Sequence, residues 1–137
     1  AFIRLGAEVV LVAPPTLMPP SLPWRVETRY RLDDVLGECD VIYLLRLQLE
    51  RQKQGLIPSL KEYARVYQLN AERLARAGEG TLVMHPGPIN RGVEIAAEVA
   101  DGPRSIILGQ VANGVAVRMA VLFMLLGGRE AEDAGNE

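Results

Sequence analysis

Short apolar runs alternate along this chain with longer stretches that carry helical signals, and that alternation limits the folds open to it. "GAEVVLVAP" (6–14), "DVIYLLRL" (40–47), "GTLVMHP" (80–86) and "RSIIL" (104–108) read as buried strands, and "RVETRY" (25–30) alternates as a more exposed strand should. Between them, "LDDVLGEC" (32–39) reads as a short helix and "EIAAEVADG" (94–102) as another. "PSLKEYARVYQLNAERLARAG" reads as one or two helices, with Pro58 suited to a first turn and Gly78 as the stop. A final helix is expected over about 110–126, in "QVANGVAVRMAVLFMLLGG". Strands that are apolar throughout, separated by helices, belong in a parallel sheet covered on both faces. The expected class is therefore α/β, a doubly wound, mainly parallel sheet flanked by helices. One domain is expected over 1–128, followed by a polar tail over 129–137.

The 137 residues fit one domain with one core. A net charge of -2 makes no electrostatic case for nucleic acid, so an anionic ligand would need a few well-placed arginines. The single Cys39 excludes an internal disulfide framework, which makes a reducing cytoplasm the expected compartment. No membrane span is expected: "GVAVRMAVLFMLLGG" is interrupted by Arg118 and short for a bilayer. The opening "AFIRLGAEVVLVAP" reads as the last turn of a helix closed by Gly6, then a strand. A natural domain rarely begins there, so the chain is expected to be part of a longer protein.

In open α/β sheets, ligands bind beyond the carboxyl ends of the strands. That rule selects Arg46 and Gln48 after "DVIYLL", and "HPGPINRG" after "TLVM". A guanidinium at a strand end offers a planar fork for carboxylate or phosphate, and Gln48 shares its parity along an extended chain. On pattern alone, the simpler reading is a strand meeting solvent. Glu50, Arg51 and Lys53 read as a solvated loop. Pro86 and Pro88 have no N–H and Gly87 has no side chain, so the peptide presents bare carbonyls to an NH2 group. A rigid turn is the simpler alternative. His85, the only histidine, is more often a packed or capping residue than a general base. Arg118 reads as an ion pair anchoring the last helix, and Tyr63 with Tyr67 as helix packing.

Other devices are missing. No G-x-G-x-x-G follows the first strand and no P-loop occurs. One Cys and one His far apart cannot cage a metal, and no serine has a G-x-S-x-G context.

Together, "APPTLMP", "DVIYLLRLQLERQ", "MHPGPINRGVEI" and "QVANGVAVRMAVL" resemble, in order and spacing, the C-terminal half of the aspartate carbamoyltransferases. The resemblance implies the aspartate-binding domain of the carbamoyltransferase fold. Ornithine-type relatives have a Cys where Pro86 stands and a Ser-Met-Gly loop where this chain has "LRLQ", so aspartate is the implied acceptor. The implied reaction moves the carbamoyl group of carbamoyl phosphate to the α-amino group of L-aspartate, in pyrimidine biosynthesis, without cofactor or metal. Arg46 and Gln48 are then expected to bind aspartate, and the backbone of Pro86, Gly87 and Pro88 to take the carbamoyl group. None of these residues is a reagent by that reading, and no catalytic residue is assigned within the chain. The family's polarising histidine belongs to the other domain.

The family's Ser-Thr-Arg-Thr phosphate loop does not occur in these residues, nor do its polarising histidine and the Ser and Lys donated by a neighbouring subunit. A second aspartate-gripping arginine is expected shortly before Ala1. The implied partners are an N-terminal carbamoyl-phosphate domain and two further copies in a homotrimer, with no nucleic acid and no membrane. The last helix should cross to that domain, leaving Val115, Met119, Leu122 and Leu126 partly uncovered here. The competing reading is a non-catalytic α/β module that binds a small anion or nucleotide.

Overall fold

A computed structural model describes residues 1–48 and 55–127 of the chain. Four strands form: β1 (Val10–Val12), β2 (Glu27–Arg29), β3 (Val41–Tyr43) and β4 (Leu82–Met84). Four helices accompany them: α1 (Leu60–Tyr67), α2 (Ala71–Arg76), α3 (Ala97–Ala100) and α4 (Ile107–Leu126). β1 pairs with β2 and β3 with β4, both in parallel, through the rungs Leu11↔Thr28 and Ile42↔Val83 at their centres. Among the described residues no ladder joins the two pairs. The class is α/β, with parallel strands flanked by helices.

Several expected elements are shorter or differently built. The run 104–108 is not a strand. Val83 donates its N–H to Arg104 O at 2.9 Å and Ile106 donates to Val83 O at 3.0 Å, but α4 begins at Ile107 and ends the contact after one rung. The helix expected at 32–39 is two 3-10 turns, Leu32–Asp34 and Leu36–Glu38, which still bury Leu32 and Leu36. Gly37 lies in the second turn, where its low helix propensity works against a longer helix. The stretch 58–78 makes two helices because Ser59 caps α1 and Asn70 caps α2. Between them, Leu69 leaves the helical path to bridge Ile95.

The core gathers where these elements meet. Leu69, Val83 and Ile95 are fully buried, and Leu36, Ile42, Leu74, Val99 and Ile107 pack in the same cluster. Each such side chain contributes roughly 1.5–3 kcal/mol by leaving water. α4 departs from this pattern. Ile107 is buried, yet Val115, Met119, Leu122 and Leu126 are all exposed. By length and composition this 20-residue helix is apolar enough to cross a membrane, a longer stretch than the run weighed from sequence. Arg118 is exposed and, contrary to its expected anchoring role, forms no ion pair among the described residues.

One polar clasp holds the first 3-10 turn to α2. Arg73 donates from Nε and Nη2 to the two carboxylate oxygens of Asp33, at 3.0 and 3.2 Å, and Arg76 adds a contact at 2.8 Å. Arg73 also donates to Gln68 O and Arg65 O, so its whole guanidinium is engaged. The hydrogen bonds from Arg73 outweigh the cost of burial and hold Asp33 below its ordinary pKa of 3.8. A carboxyl lowered on folding adds stability above its unfolded pKa, and that stability is lost as pH falls through the folded value. Asp33→Asn should therefore cost about 1–3 kcal/mol at neutral pH. It should also flatten the acid limb of stability below pH 3.8, measured by urea unfolding across a pH series.

Candidate functional site

The parallel register of β3 and β4 sends both strands out at the same edge. Leu44 extends the ladder by donating to Met84 O at 2.9 Å, and Asn90 Nδ2 donates to Leu47 O at 3.3 Å. Two segments about 40 residues apart, 44–48 and 85–92, are thereby held side by side. β3 ends at Tyr43, so Arg46 and Gln48 lie beyond the strand rather than at its last position. Both are half-buried, and Arg46 is engaged rather than free. Glu50, Arg51 and Lys53 lie outside the described residues, as does the tail 129–137.

On the other side, His85 starts a turn that Gly87 makes possible. Gly87 sits at φ +68°, in the left-handed region that a side chain disfavours, and Gly87–Pro88 is a cis peptide. Pro86 and Pro88 are exposed and Gly87 half-buried. Among the described residues, no hydrogen bond is accepted by the carbonyls of Pro86, Gly87 or Pro88. Three acceptors with no N–H competitor from either proline thus lie just beyond the end of β4.

The ring of His85 is fully buried. Its Nδ1 accepts the Gly87 N–H at 2.9 Å, which places the proton of a neutral ring on Nε2. Nε2 lies 3.3 Å from Glu94 Oε1, too poorly aligned to count as a hydrogen bond. Glu94 is itself buried, and its Oε1 accepts the Asn90 N–H at 2.6 Å. Burial lowers the His85 pKa below 6.5 against the opposing pull of the Glu94 charge, in keeping with a neutral imidazole.

Gln110, in the first turn of α4, closes the back of the site. Its Oε1 accepts the His85 N–H at 2.9 Å and its Nε2 donates to the Tyr43 hydroxyl at 3.0 Å. One side chain therefore ties both strand ends to the helix. Sequence reasoning missed Glu94, Asn90 and Gln110. The available signal was an acid flanked by apolar residues in "VEIAA", which a solvated helix face does not require. Among the described residues, no group of three or more His, Cys, Asp or Glu side chains is arranged to hold a metal.

The family model described as "Aspartate/ornithine carbamoyltransferase, Asp/Orn binding domain" matches residues 1–125. The chain belongs to this carbamoyltransferase family. It is 57% identical over 132 residues to an aspartate carbamoyltransferase catalytic subunit of Desulfitobacterium hafniense, covering 96% of this chain and 42% of that protein. The corresponding subunit of Acidothermus cellulolyticus is 58% identical, with 96% and 41% covered. The chain thus spans about two fifths of the length of these relatives. Among solved structures, aspartate transcarbamoylase from Trypanosoma cruzi in complex with phosphate aligns with a TM-score of 0.68 and 30% identity, over 83% of this chain and 41% of that one. Ornithine carbamoyltransferase from Pyrococcus furiosus aligns at 0.63 and 25%, over 75% and 33%.

Within this carbamoyltransferase domain, Gln110 is the group whose loss leaves a buried donor unpaired. Gln110→Leu keeps most of the side-chain volume but orphans the His85 N–H. A destabilisation of about 1–3 kcal/mol is expected, read from the shift in the urea unfolding midpoint. The Tyr43 hydroxyl, on a residue 38% exposed, can turn to water instead.

Proposed function

We propose that these residues are the aspartate-binding part of an aspartate carbamoyltransferase catalytic chain, which transfers the carbamoyl group of carbamoyl phosphate to L-aspartate in pyrimidine biosynthesis. The observation that carries the reading is the pairing, at one sheet edge, of a guanidinium segment with a turn whose carbonyls accept no hydrogen bond among the described residues. Membership of the family supports it, as do close relatives named for the aspartate reaction.

In this reading the Arg46 guanidinium takes an aspartate carboxylate, with Gln48 beside it. The carbonyls of Pro86, Gly87 and Pro88 accept hydrogen bonds from the carbamoyl NH2. Held this way, the aspartate amine attacks the carbamoyl carbon. A C–N bond forms, the C–O bond to phosphate breaks, and phosphate leaves with the electron pair and takes up the proton that the amine nitrogen loses. Catalysis then rests on orientation and on stabilising the developing charge, without cofactor or metal. An N-terminal carbamoyl-phosphate domain supplies the phosphate site and packs against the exposed apolar face of α4. The complete enzyme acts as a cytoplasmic homotrimer, with neither nucleic acid nor membrane as a partner.

Two measurements test the proposal. These 137 residues alone should form no measurable carbamoyl aspartate, and adding the carbamoyl-phosphate half should restore the reaction. Substantial turnover by the chain alone would sink the division of labour. In the completed enzyme, Arg46→Ala should lower kcat/KM for aspartate by about 2–5 kcal/mol, roughly 30- to several-thousand-fold, with carbamoyl phosphate binding little changed. Arg46→Lys should recover only part of the loss, because it keeps the charge without the fork. Near-normal aspartate kinetics in Arg46→Ala would return the residue to a solvated strand end.

A further inference from the structure

The buried histidine has a use that does not require it to meet substrate. Gly87 N–H points back into His85 Nδ1 at 2.9 Å, a side-chain-to-backbone bond spanning two residues inside the turn itself. That bond fixes the Pro86–Gly87 peptide plane, and with it the direction of the Pro86 carbonyl. On the far side of the ring, the buried Glu94 carboxyl faces Nε2 at 3.3 Å. A proton on Nε2 faces the buried carboxylate there, whereas a proton on Nδ1 would confront the Gly87 N–H, donor against donor. Glu94 is anchored in turn by the Asn90 N–H, from the same loop five residues after His85. The His85 backbone is held separately by Gln110, which accepts its N–H.

We infer that His85 is a positioning residue: its Nδ1 sets the carbonyl directions of the Pro86–Pro88 turn, and Glu94 selects the tautomer that lets it do so. The inference rests on the proposed function for its link to carbamoyl phosphate, but the hydrogen bond on which it turns can be tested separately.

Asn and Gln separate the two ring nitrogens. The Asn side-chain oxygen falls close to the Nδ1 position and forms this two-residue bond readily in turns. Gln reaches toward the Nε2 position and retains a donor for Glu94 instead. If His85 only fills space, the larger Gln should serve at least as well as Asn. If it positions the turn, the order reverses.

The test compares His85→Ala, His85→Asn and His85→Gln in the completed enzyme. It reads steady-state kinetics, thermal unfolding, and hydrogen exchange of the Gly87 amide by NMR. His85→Ala and His85→Gln should raise KM for carbamoyl phosphate by about ten- to a hundredfold, the scale of a misplaced contact. His85→Asn should stay within about threefold of the parent, because the bond to Gly87 is kept. Protection of the Gly87 amide should follow the same order even where unfolding temperatures do not. Equal kinetics and equal Gly87 protection in Asn and Gln, or Gln ahead of Asn, would overturn the inference. If the parent enzyme made no carbamoyl aspartate, the functional proposal would fall, and Gly87 exchange would still decide the role of His85.

Discussion

The rung between Ile42 and Val83 is the contact on which the rest of this structure depends. Both side chains are buried, Val83 completely, and their register aligns Tyr43 with Met84 at the carboxyl end. Because the ladder is parallel, the chain leaves both strands at one edge, and residues far apart in sequence become neighbours. Register in such a pair is steeply specified. A slip of one residue would turn Val83 outward and bring an exposed neighbour, Leu82, into the core. The hydrophobic effect thus sets the position of a polar site without any polar residue taking part.

On that apolar frame, a small set of hydrogen bonds gives the site its shape. Gln110 spans His85 and Tyr43, Asn90 reaches Leu47, and Glu94 accepts the Asn90 N–H. Each bond is modest in net energy, yet leaving the buried His85 N–H unpaired would cost more than its bond contributes. The outcome is a turn whose own donor, the Gly87 N–H, is satisfied internally, while its carbonyls accept no hydrogen bond among the described residues.

The long helix shows the opposite balance. Its first turn is held by the buried Ile107 and by Gln110, while its later turns expose Val115, Met119, Leu122 and Leu126. An apolar helix of 20 residues that buries so little of itself presents surface for something else to cover, and an N-terminal half of the same enzyme is the proposed occupant.

Much of this was legible in the residues alone. The alternation of apolar runs and capped helices determined the α/β class, and the general rule for strand ends placed Arg46, Gln48 and the His85–Gly92 turn beyond the same sheet edge. These signals are local: hydrophobic period, caps, and the conformational limits of Pro and Gly. The short 3-10 turns at 32–38 and the truncated fifth strand were not legible, because tertiary packing overrode local propensity there. Nor were the partners of His85. Whether a histidine acts through its ring or through the backbone it holds depends on which atoms surround it, and those come from Glu94, nine residues on, and Gln110, twenty-five residues on. Sequence determined that a rigid, carbonyl-rich turn would follow a strand. Only the tertiary structure decided that the ring is buried and bonded to its own loop, because burial and hydrogen-bond geometry are properties of packed neighbours, and pattern along the chain does not encode their distances.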